Sequence, residues 1–89
     1  MSMINYSNHA EEELVRRKIS KKIIEQGVNE PEQILDFEDD IIIYQSIINF
    51  DNKKKYLVRA VVSENKDSKT LITVYKTSKI KKYWRENES

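Results

Sequence analysis

Three stretches rich in isoleucine, valine, leucine and tyrosine follow one another in the second half of the chain. They cover residues 41–50, 55–63 and 70–76, and short polar segments separate them. β-Branched and aromatic residues in runs of this length are typical of strands. Because the connecting segments are too short for a crossover helix, we expect the three strands to pair as antiparallel hairpins.

Two helices are predicted before these strands. The first is expected over residues 9–18, because Asn8 and Glu11 have the spacing of a capping box. Acidic residues in its first turn and basic residues in its last turn complement the helix dipole. Ser20 is the expected N-cap of the second helix, for which Gly27 offers a left-handed end.

The chain turns after the second helix. Pro31 blocks a longer helix, because its ring removes a backbone donor and clashes with the preceding turn. A short extended stretch at residues 33–37 and an acidic turn at residues 38–40 then lead into the first long strand. These elements predict an α+β fold, with two N-terminal helices packed on a mostly antiparallel three- to four-stranded sheet and a short C-terminal helix.

The two faces of the predicted sheet differ in composition, because successive side chains of a strand point to opposite faces. The face that we expect the helices to cover carries Tyr56, Val58, Ala60, Val62, Ile42, Tyr44, Ile48, Phe50, Ile72 and Val74. The opposite face is expected to carry Leu57, Arg59, Val61, Leu71, Thr73 and Tyr75. If Arg59 pairs with Thr73 on that face, Leu57 lies opposite Tyr75.

Length and residue content limit the kinds of protein that this chain can be. At 89 residues it has room for one domain over residues 1–89, with an ordered core over about residues 7–85. It has no cysteine and one histidine, so disulfides and Cys/His zinc sites are not expected, and we predict no cofactor. No segment reaches the roughly 20 apolar residues that cross a bilayer, and the N-terminus lacks signal-peptide features, so we expect a cytoplasmic protein.

Charge is unevenly distributed along the chain. Residues 1–40 hold ten acidic and five basic residues, whereas residues 41–89 hold five acidic and eleven basic ones. The C-terminal part combines lysines with Tyr83 and Trp84, a composition that suits a polyanion. The alternatives are that the charges mix on the folded surface, and that Ile80, Tyr83 and Trp84 form a packing stripe at helical spacing.

Two single residues each have a functional and a structural interpretation. Arg59 can clamp phosphate, because a guanidinium is always charged and binds phosphate oxygens in pairs, or it can extend to solvent and pair with an acidic neighbour. His9 can be a general base, or an ordinary surface residue in a first helical turn. Glu13 and Arg16 share the helical face of His9, so local pairing is an equally simple role for them.

The order of several short motifs resembles a known family. The motifs are Asn8-His-Ala, Arg16-Arg-Lys-Ile-Ser20, Asn29-Glu-Pro31, Tyr56-Leu-Val-Arg-Ala-Val-Val62 and Ile72-Thr-Val-Tyr-Lys-Thr-Ser-Lys-Ile-Lys-Lys-Tyr-Trp84. Together they resemble small bacterial domains related to the RelE and ParE-like toxins, within a wider group of metal-independent nucleases that includes barnase and EndoU. The resemblance covers about residues 7–85.

The resemblance implies a toxin of a toxin–antitoxin pair that cuts RNA without a metal, with the RNA 2′-hydroxyl as nucleophile. Such a reaction requires proton-transfer groups and fixed cations. By this resemblance the catalytic residues are His9, Arg59, Tyr75 and Lys76. The RNA-binding residues implied by the resemblance are Arg16, Arg17 and Thr73, and the basic, aromatic C-terminal part adds Lys79, Lys82 and Tyr83 as expected RNA-binding residues. The expected partners are RNA, free or on the ribosome, and a small cognate antitoxin protein, with no membrane.

A non-catalytic protein-binding module of the same fold is the second hypothesis. Several apolar residues on the face opposite the helices need a cover: Ile41, Ile43, Ile47, Leu57, Val61 and Leu71. The C-terminal helix, a partner that displaces it, or a second copy in a homodimer would each bury them. Residues 41–50 carry no charge, and the acidic residues on either side, Asp39, Asp40 and Asp51, protect such a strand from aggregation.

Overall fold

The computed structural model describes residues 4–50 and 52–85. The elements in chain order are β1 (Ile4–Tyr6), α1 (Asn8–Arg17), α2 (Lys21–Asn29), β2 (Gln33–Glu38), β3 (Ile41–Asn49), β4 (Lys55–Glu64), β5 (Lys69–Thr77) and α3 (Ile80–Tyr83). The strands form one sheet with the order β1-β5-β4-β3-β2. The predicted α+β class is confirmed, with its two N-terminal helices and short C-terminal helix. Asp51, predicted to flank the first long strand, lies outside the described residues.

Strand β1 is absent from the prediction, so the sheet has five strands instead of three or four. It pairs in parallel with β5, and Ile4 lies opposite Lys69. Three residues are too few for the alternation that identifies a strand in a sequence. The remaining neighbouring strands pair antiparallel, as predicted. None of the helices in residues 4–50 and 52–85 is long and apolar enough to cross a membrane.

Helix α1 begins at a different cap from the predicted one. Its N-cap is Ser7, whose Oγ accepts a hydrogen bond from the backbone N–H of Ala10 over 3.0 Å. The predicted capping box from Asn8 to Glu11 is therefore wrong, because the N-cap lies one residue earlier, at Ser7. The Ser7 hydroxyl also donates to the carbonyl oxygen of Ile72 in β5 over 2.9 Å, so the cap ties the start of the helix to the sheet.

Helix α2 begins as predicted and ends later. The Oγ of Ser20 accepts a hydrogen bond from the backbone N–H of Ile23 over 3.2 Å, which confirms the cap. The prediction that Gly27 ends the helix is wrong, because the helix continues to Asn29 and Gly27 has no positive φ. Val28 is buried, and this packing favours the additional residues of helix.

The two helices cover one face of the sheet, which is the face that the alternation predicted. The buried residues in contact there are Ala10, Leu14, Ile19, Ile24, Val28, Tyr44, Val58, Ala60, Val62, Leu71 and Val74. Removing these apolar side chains from water is the main favourable contribution to folding. Leu71 is a correction, since it was predicted for the opposite face, and Ile72, predicted for this face, is only half-buried.

A bulge in β5 explains that exchange. Val61 pairs with Thr73 and Val62 pairs with Leu71, so Ile72 is an extra residue without a partner of its own in β4. A bulge interrupts the alternation of side chains between the two faces. Leu71 and Val74 therefore point to the same side of the sheet, although three positions separate them.

The register of β4 with β5 differs by two residues from the pairing considered in the sequence analysis. Arg59 pairs with Tyr75 instead of Thr73, and Leu57 pairs with Thr77 instead of Tyr75. One residue of this difference comes from the turn, which places Glu64 opposite Lys69, and the bulge adds the other. Because the two shifts add to an even number, Arg59 and Tyr75 still share the predicted face.

Candidate functional site

A line of four polar side chains crosses the face of the sheet opposite α1 and α2. Gln33, Gln45, Arg59 and Tyr75 are paired in register on β2, β3, β4 and β5. Gln45 Nε2 donates to Gln33 Oε1 over 2.7 Å, and Arg59 Nε donates to Gln45 Oε1 over 2.9 Å. Arg59 Nη1 donates to the Tyr75 hydroxyl. We call these four residues the polar row.

The polar row lies between apolar residues on the same face. Ile43 and Val61 pair on one side of it, and Ile47 and Leu57 pair on the other side. Leu57 is completely buried and Gln45 is 1% exposed, although α1 and α2 lie on the other face. A buried amide is costly unless it is hydrogen-bonded, and the neighbours in the polar row supply those bonds.

Helix α3 and the two residues after it, Trp84 and Arg85, cover this face, and we call them the C-terminal segment. Gln45 Nε2 donates to the carbonyl oxygen of Tyr83 at the end of α3 over 3.2 Å. The backbone N–H of Arg85 donates to Gln33 Oε1 over 3.0 Å, and Gln33 Nε2 donates to the Arg85 carbonyl oxygen over 2.6 Å. The side-chain amides of the polar row therefore hold the backbone of the C-terminal segment on the sheet.

The guanidinium of Arg59 is held between two tyrosine rings. Its Cζ lies 4.6 Å from the ring centroid of Tyr83 and 5.6 Å from that of Tyr75, and the two rings meet edge to face at 6.3 Å. Lys82 Nζ lies 5.4 Å from the Tyr83 ring. The four side chains, Arg59, Tyr75, Lys82 and Tyr83, form what we call the guanidinium cluster. Cation–π contacts of this kind orient a guanidinium without neutralising it.

No acidic side chain neutralises Arg59 in the described part of the chain. The ion pairs found there all join residues of the two N-terminal helices: Glu13 with Arg16, Glu13 with Arg17, and Glu11 with Lys21. Arg59 is half-buried, with hydrogen-bond partners that are neutral. Of the two structural roles considered for Arg59, extension to solvent and pairing with an acidic neighbour, the described residues provide no acidic partner for the second. Among residues 4–50 and 52–85, Arg59 has two aromatic rings beside it and no negatively charged partner.

The structure brings together four of the predicted site residues, namely those of the guanidinium cluster. Thr73 lies on the same face two residues before Tyr75, where it pairs with Val61. Lys79 is exposed at the start of α3, and its backbone N–H donates to Thr77 Oγ1 over 3.0 Å. Both residues are therefore near the cluster along the chain without being part of it.

The predicted residues on α1 lie on the other side of the sheet. His9 is exposed in the first turn of α1, a helix that packs on the face opposite Arg59. Arg16 and Arg17 both bind Glu13, at 3.0 Å and 2.7 Å. These hydrogen bonds, first from Arg16 and then from Arg17, lower the pKa of Glu13 to about 2. The structure thus does not place His9, Arg16 or Arg17 beside Arg59.

Lys76 also points away from Arg59. It follows Tyr75 in β5 and pairs with Val58, whose side chain belongs to the helix-covered core. Its Nζ lies 4.1 Å from the ring centroid of Phe50 and 5.0 Å from that of Tyr56. Because successive residues of a strand point to opposite faces, Lys76 and Tyr75 cannot bind the same phosphate together.

Sequence reasoning missed Gln33 and Gln45, which organise the site. Gln45 is a polar residue near the middle of an uncharged strand, and this position is the signal that could have identified it. A polar side chain at a position expected to be buried requires a partner, and Arg59 is the residue with donors to offer. Gln33 carries no comparable signal, because its role depends on the pairing of β2 with β3.

Comparison with known proteins gives one match. No curated protein and no solved structure matches the chain. One family model matches residues 6–76. These residues include α1, α2, Arg59 and Tyr75, and they end before α3. The chain belongs to the family described as Domain of unknown function (DUF4258).

Proposed function

We propose that the chain is the toxin of a toxin–antitoxin pair, of the RelE and ParE-like type, and that it is a metal-independent endoribonuclease which binds RNA through the guanidinium cluster. One observation carries the proposal. Arg59 is a half-buried guanidinium with neutral hydrogen-bond partners and two flanking tyrosine rings. Such a group is suited to a phosphate, which would supply the missing negative charge.

The geometry leaves donors available for that phosphate. A guanidinium has five N–H groups, and the polar row uses Nε and one hydrogen of Nη1. The remaining N–H groups suit bidentate binding of phosphate oxygens. Lys82 lies beside the same Tyr83 ring and adds a second positive charge within the cluster. Tyrosine rings next to cations also offer surfaces on which RNA bases stack.

Cleavage would follow the chemistry of RNA itself. The 2′-hydroxyl attacks the adjacent phosphorus, the bond from phosphorus to the 5′-oxygen breaks, and the products are a 2′,3′-cyclic phosphate and a 5′-hydroxyl. One proton leaves the 2′-oxygen and one is added to the 5′-oxygen, so a proton-transfer group is required. We assign Arg59 to the charge on the phosphate oxygens and Tyr75, whose hydroxyl accepts from Arg59, to proton transfer.

Binding to single-stranded RNA at several salt concentrations tests the first part of the proposal. If about three to five phosphates are neutralised, the slope of log K against log salt is expected between about −2 and −5. Arg59→Met and Lys82→Gln should each reduce affinity and slope. Arg16→Met is the matched control, because it removes an arginine charge from the other side of the sheet. Lys82 is exposed, so Lys82→Gln provides a result even if Arg59→Met fails to fold.

Two results would overturn the proposal at different levels. No RNA binding by the folded wild-type protein at low salt, or equal binding by Lys82→Gln and Arg16→Met, would exclude the guanidinium cluster as an RNA site. Binding without cleavage, with and without ribosomes, would exclude the nuclease activity alone. Added chelator is expected to leave cleavage unchanged.

A non-catalytic protein-binding module is the second candidate, and the edge strand β2 favours it. Ile34 is 53% exposed and Phe37 is 63% exposed, and β2 is the last strand in the described sheet. An edge with exposed apolar side chains can pair with a strand of another chain, either an antitoxin or a second copy. Ile34→Thr with Phe37→Ser should then abolish complex formation in size-exclusion experiments and leave RNA binding intact.

A further inference from the structure

The strand directions bring basic residues to one end of the sheet. Asn49 at the end of β3 pairs with Lys55 at the start of β4, and Leu57 pairs with Thr77 at the end of β5. The lysines at this end, which we call the basic end, are Lys53, Lys54, Lys55, Lys76 and Lys79. The opposite end carries Glu38, Asp39, Asp40, Glu64 and Asp67 together with Lys66 and Lys69. Positive charge is therefore concentrated where β5 leaves the sheet.

Two of these lysines contact a pair of aromatic rings. Phe50 and Tyr56 meet edge to face, with centroids 5.4 Å apart and an angle of 84°. Lys76 Nζ lies 4.1 Å from the Phe50 centroid and 5.0 Å from the Tyr56 centroid, while Lys54 Nζ lies 5.6 Å from that of Tyr56. Asn52 Nδ2 donates to the Tyr56 hydroxyl over 3.4 Å.

Among the described residues, no acidic side chain forms an ion pair with Lys54 or Lys76. The ion pairs there lie on α1 and α2, far along the chain from Lys54 and Lys76. In the sequence Asp51 precedes three of the five lysines of the basic end, Lys53, Lys54 and Lys55. Like charges on one aromatic ring repel each other, so an anion placed between them would be stabilised. The half-buried position of Lys76 reduces the solvent screening of that interaction.

We propose that the basic end is a second phosphate site for the RNA, in which Lys54 and Lys76 bind the backbone and Tyr56 offers a ring to a base. This inference rests on the proposed RNA binding at the guanidinium cluster. Arg59 follows Lys55 by four positions in β4, or about 13 Å at the usual rise of a strand. The RNA therefore bends around the end of β5, past the exposed Lys79, from one face of the sheet to the other.

The test compares charge removal at the two ends of the sheet. The probe is single-stranded RNA of about 12 nucleotides, within the usual range for single-strand binding sites. Each phosphate contact contributes about −0.7 to the salt slope for a single strand. Lys54→Gln should therefore reduce the slope by about 0.7, and Lys54→Gln with Lys76→Gln by about 1.4. Lys66→Gln, an exposed lysine at the opposite end, is the control and should change neither slope nor affinity measurably.

The possible outcomes separate this inference from the proposed function. If the wild-type protein binds RNA and Lys82→Gln weakens it, but Lys54→Gln behaves like Lys66→Gln, the basic end is not an RNA site and the guanidinium cluster remains one. If the wild-type protein does not bind RNA, both proposals are wrong. Lys54 is exposed, so its substitution gives a result even if Lys76→Gln unfolds the chain.

Discussion

Gln45 donates a hydrogen bond to the carbonyl oxygen of Tyr83 over 3.2 Å, and the two residues are 38 positions apart in the chain. This contact joins a 1% exposed amide in the sheet to the end of α3. The same amide also binds Gln33 and Arg59, so one side chain connects the cover of the sheet with the candidate site. Stability of the C-terminal segment and orientation of Arg59 therefore depend on the same buried group.

Gln45→Ala should destabilise the protein and release the C-terminal segment. The substitution leaves buried donors and acceptors without partners, at a cost of about 1–3 kcal/mol for each. Trp84, the one tryptophan of the chain, follows α3 and is half-buried, so its emission should shift to longer wavelength. Gln26→Ala, an exposed glutamine of α2, is the control. Equal urea midpoints for the two variants, with no change in emission, would contradict the proposed role of Gln45.

The two serine caps should differ in their contributions to stability. Ser7 caps α1 and also donates to Ile72 in β5, whereas Ser20 caps α2 alone. Loss of a cap costs about 0.5–2 kcal/mol, and a further hydrogen bond adds about 1 kcal/mol. Ser7→Ala should therefore reduce the free energy of unfolding by more than Ser20→Ala does. Denaturant unfolding of both variants measures the difference, and an equal or reversed order would show that the bond to Ile72 adds nothing.

Glu13 should make the stability of the protein depend on pH in the acidic range. Hydrogen bonds from Arg16 and Arg17 hold the folded pKa of Glu13 at about 2, below its usual 4.5. A lowered folded pKa means that the stabilisation is present above about pH 4.5 and is lost as the pH falls towards 2. Glu13→Gln should thus melt below wild type at pH 7, and the difference should disappear near pH 2. Glu12→Gln, an exposed neighbour, should melt like wild type throughout.

Local patterns predicted most of the elements correctly, because each depends on residues close together in the chain. The apolar alternation of β4 identified its core face, and Ser20 identified the start of α2. The pairing of β4 with β5 was harder, since a turn of one additional residue and a bulge at Ile72 each changed the register. Neither event has a glycine or proline beside it that would have predicted it.

The candidate site was predicted only in part, for a related reason. Arg59 and Tyr75 are both on the predicted face, and Lys82 and Tyr83 reach them because α3 folds back over the sheet. Lys76 is adjacent to Tyr75 in sequence and on the opposite face in space. Neighbouring positions in a basic segment therefore do not show which charges act together, because successive side chains of a strand point to opposite faces.

Tyr75 and His9 should differ in their effects on RNA cleavage. Tyr75 lies in the guanidinium cluster with its hydroxyl bound to Arg59, whereas His9 is exposed on α1 behind the sheet. Under the proposed mechanism Tyr75→Phe removes the proton-transfer group and should slow cleavage by on the order of 10²-fold, with RNA affinity nearly unchanged. His9→Ala should leave both quantities at the wild-type level. If His9→Ala abolishes cleavage and leaves the thermal melt unchanged, while Tyr75→Phe remains active, the active centre lies on the helical side of the sheet and the assignment to Arg59 and Tyr75 is wrong.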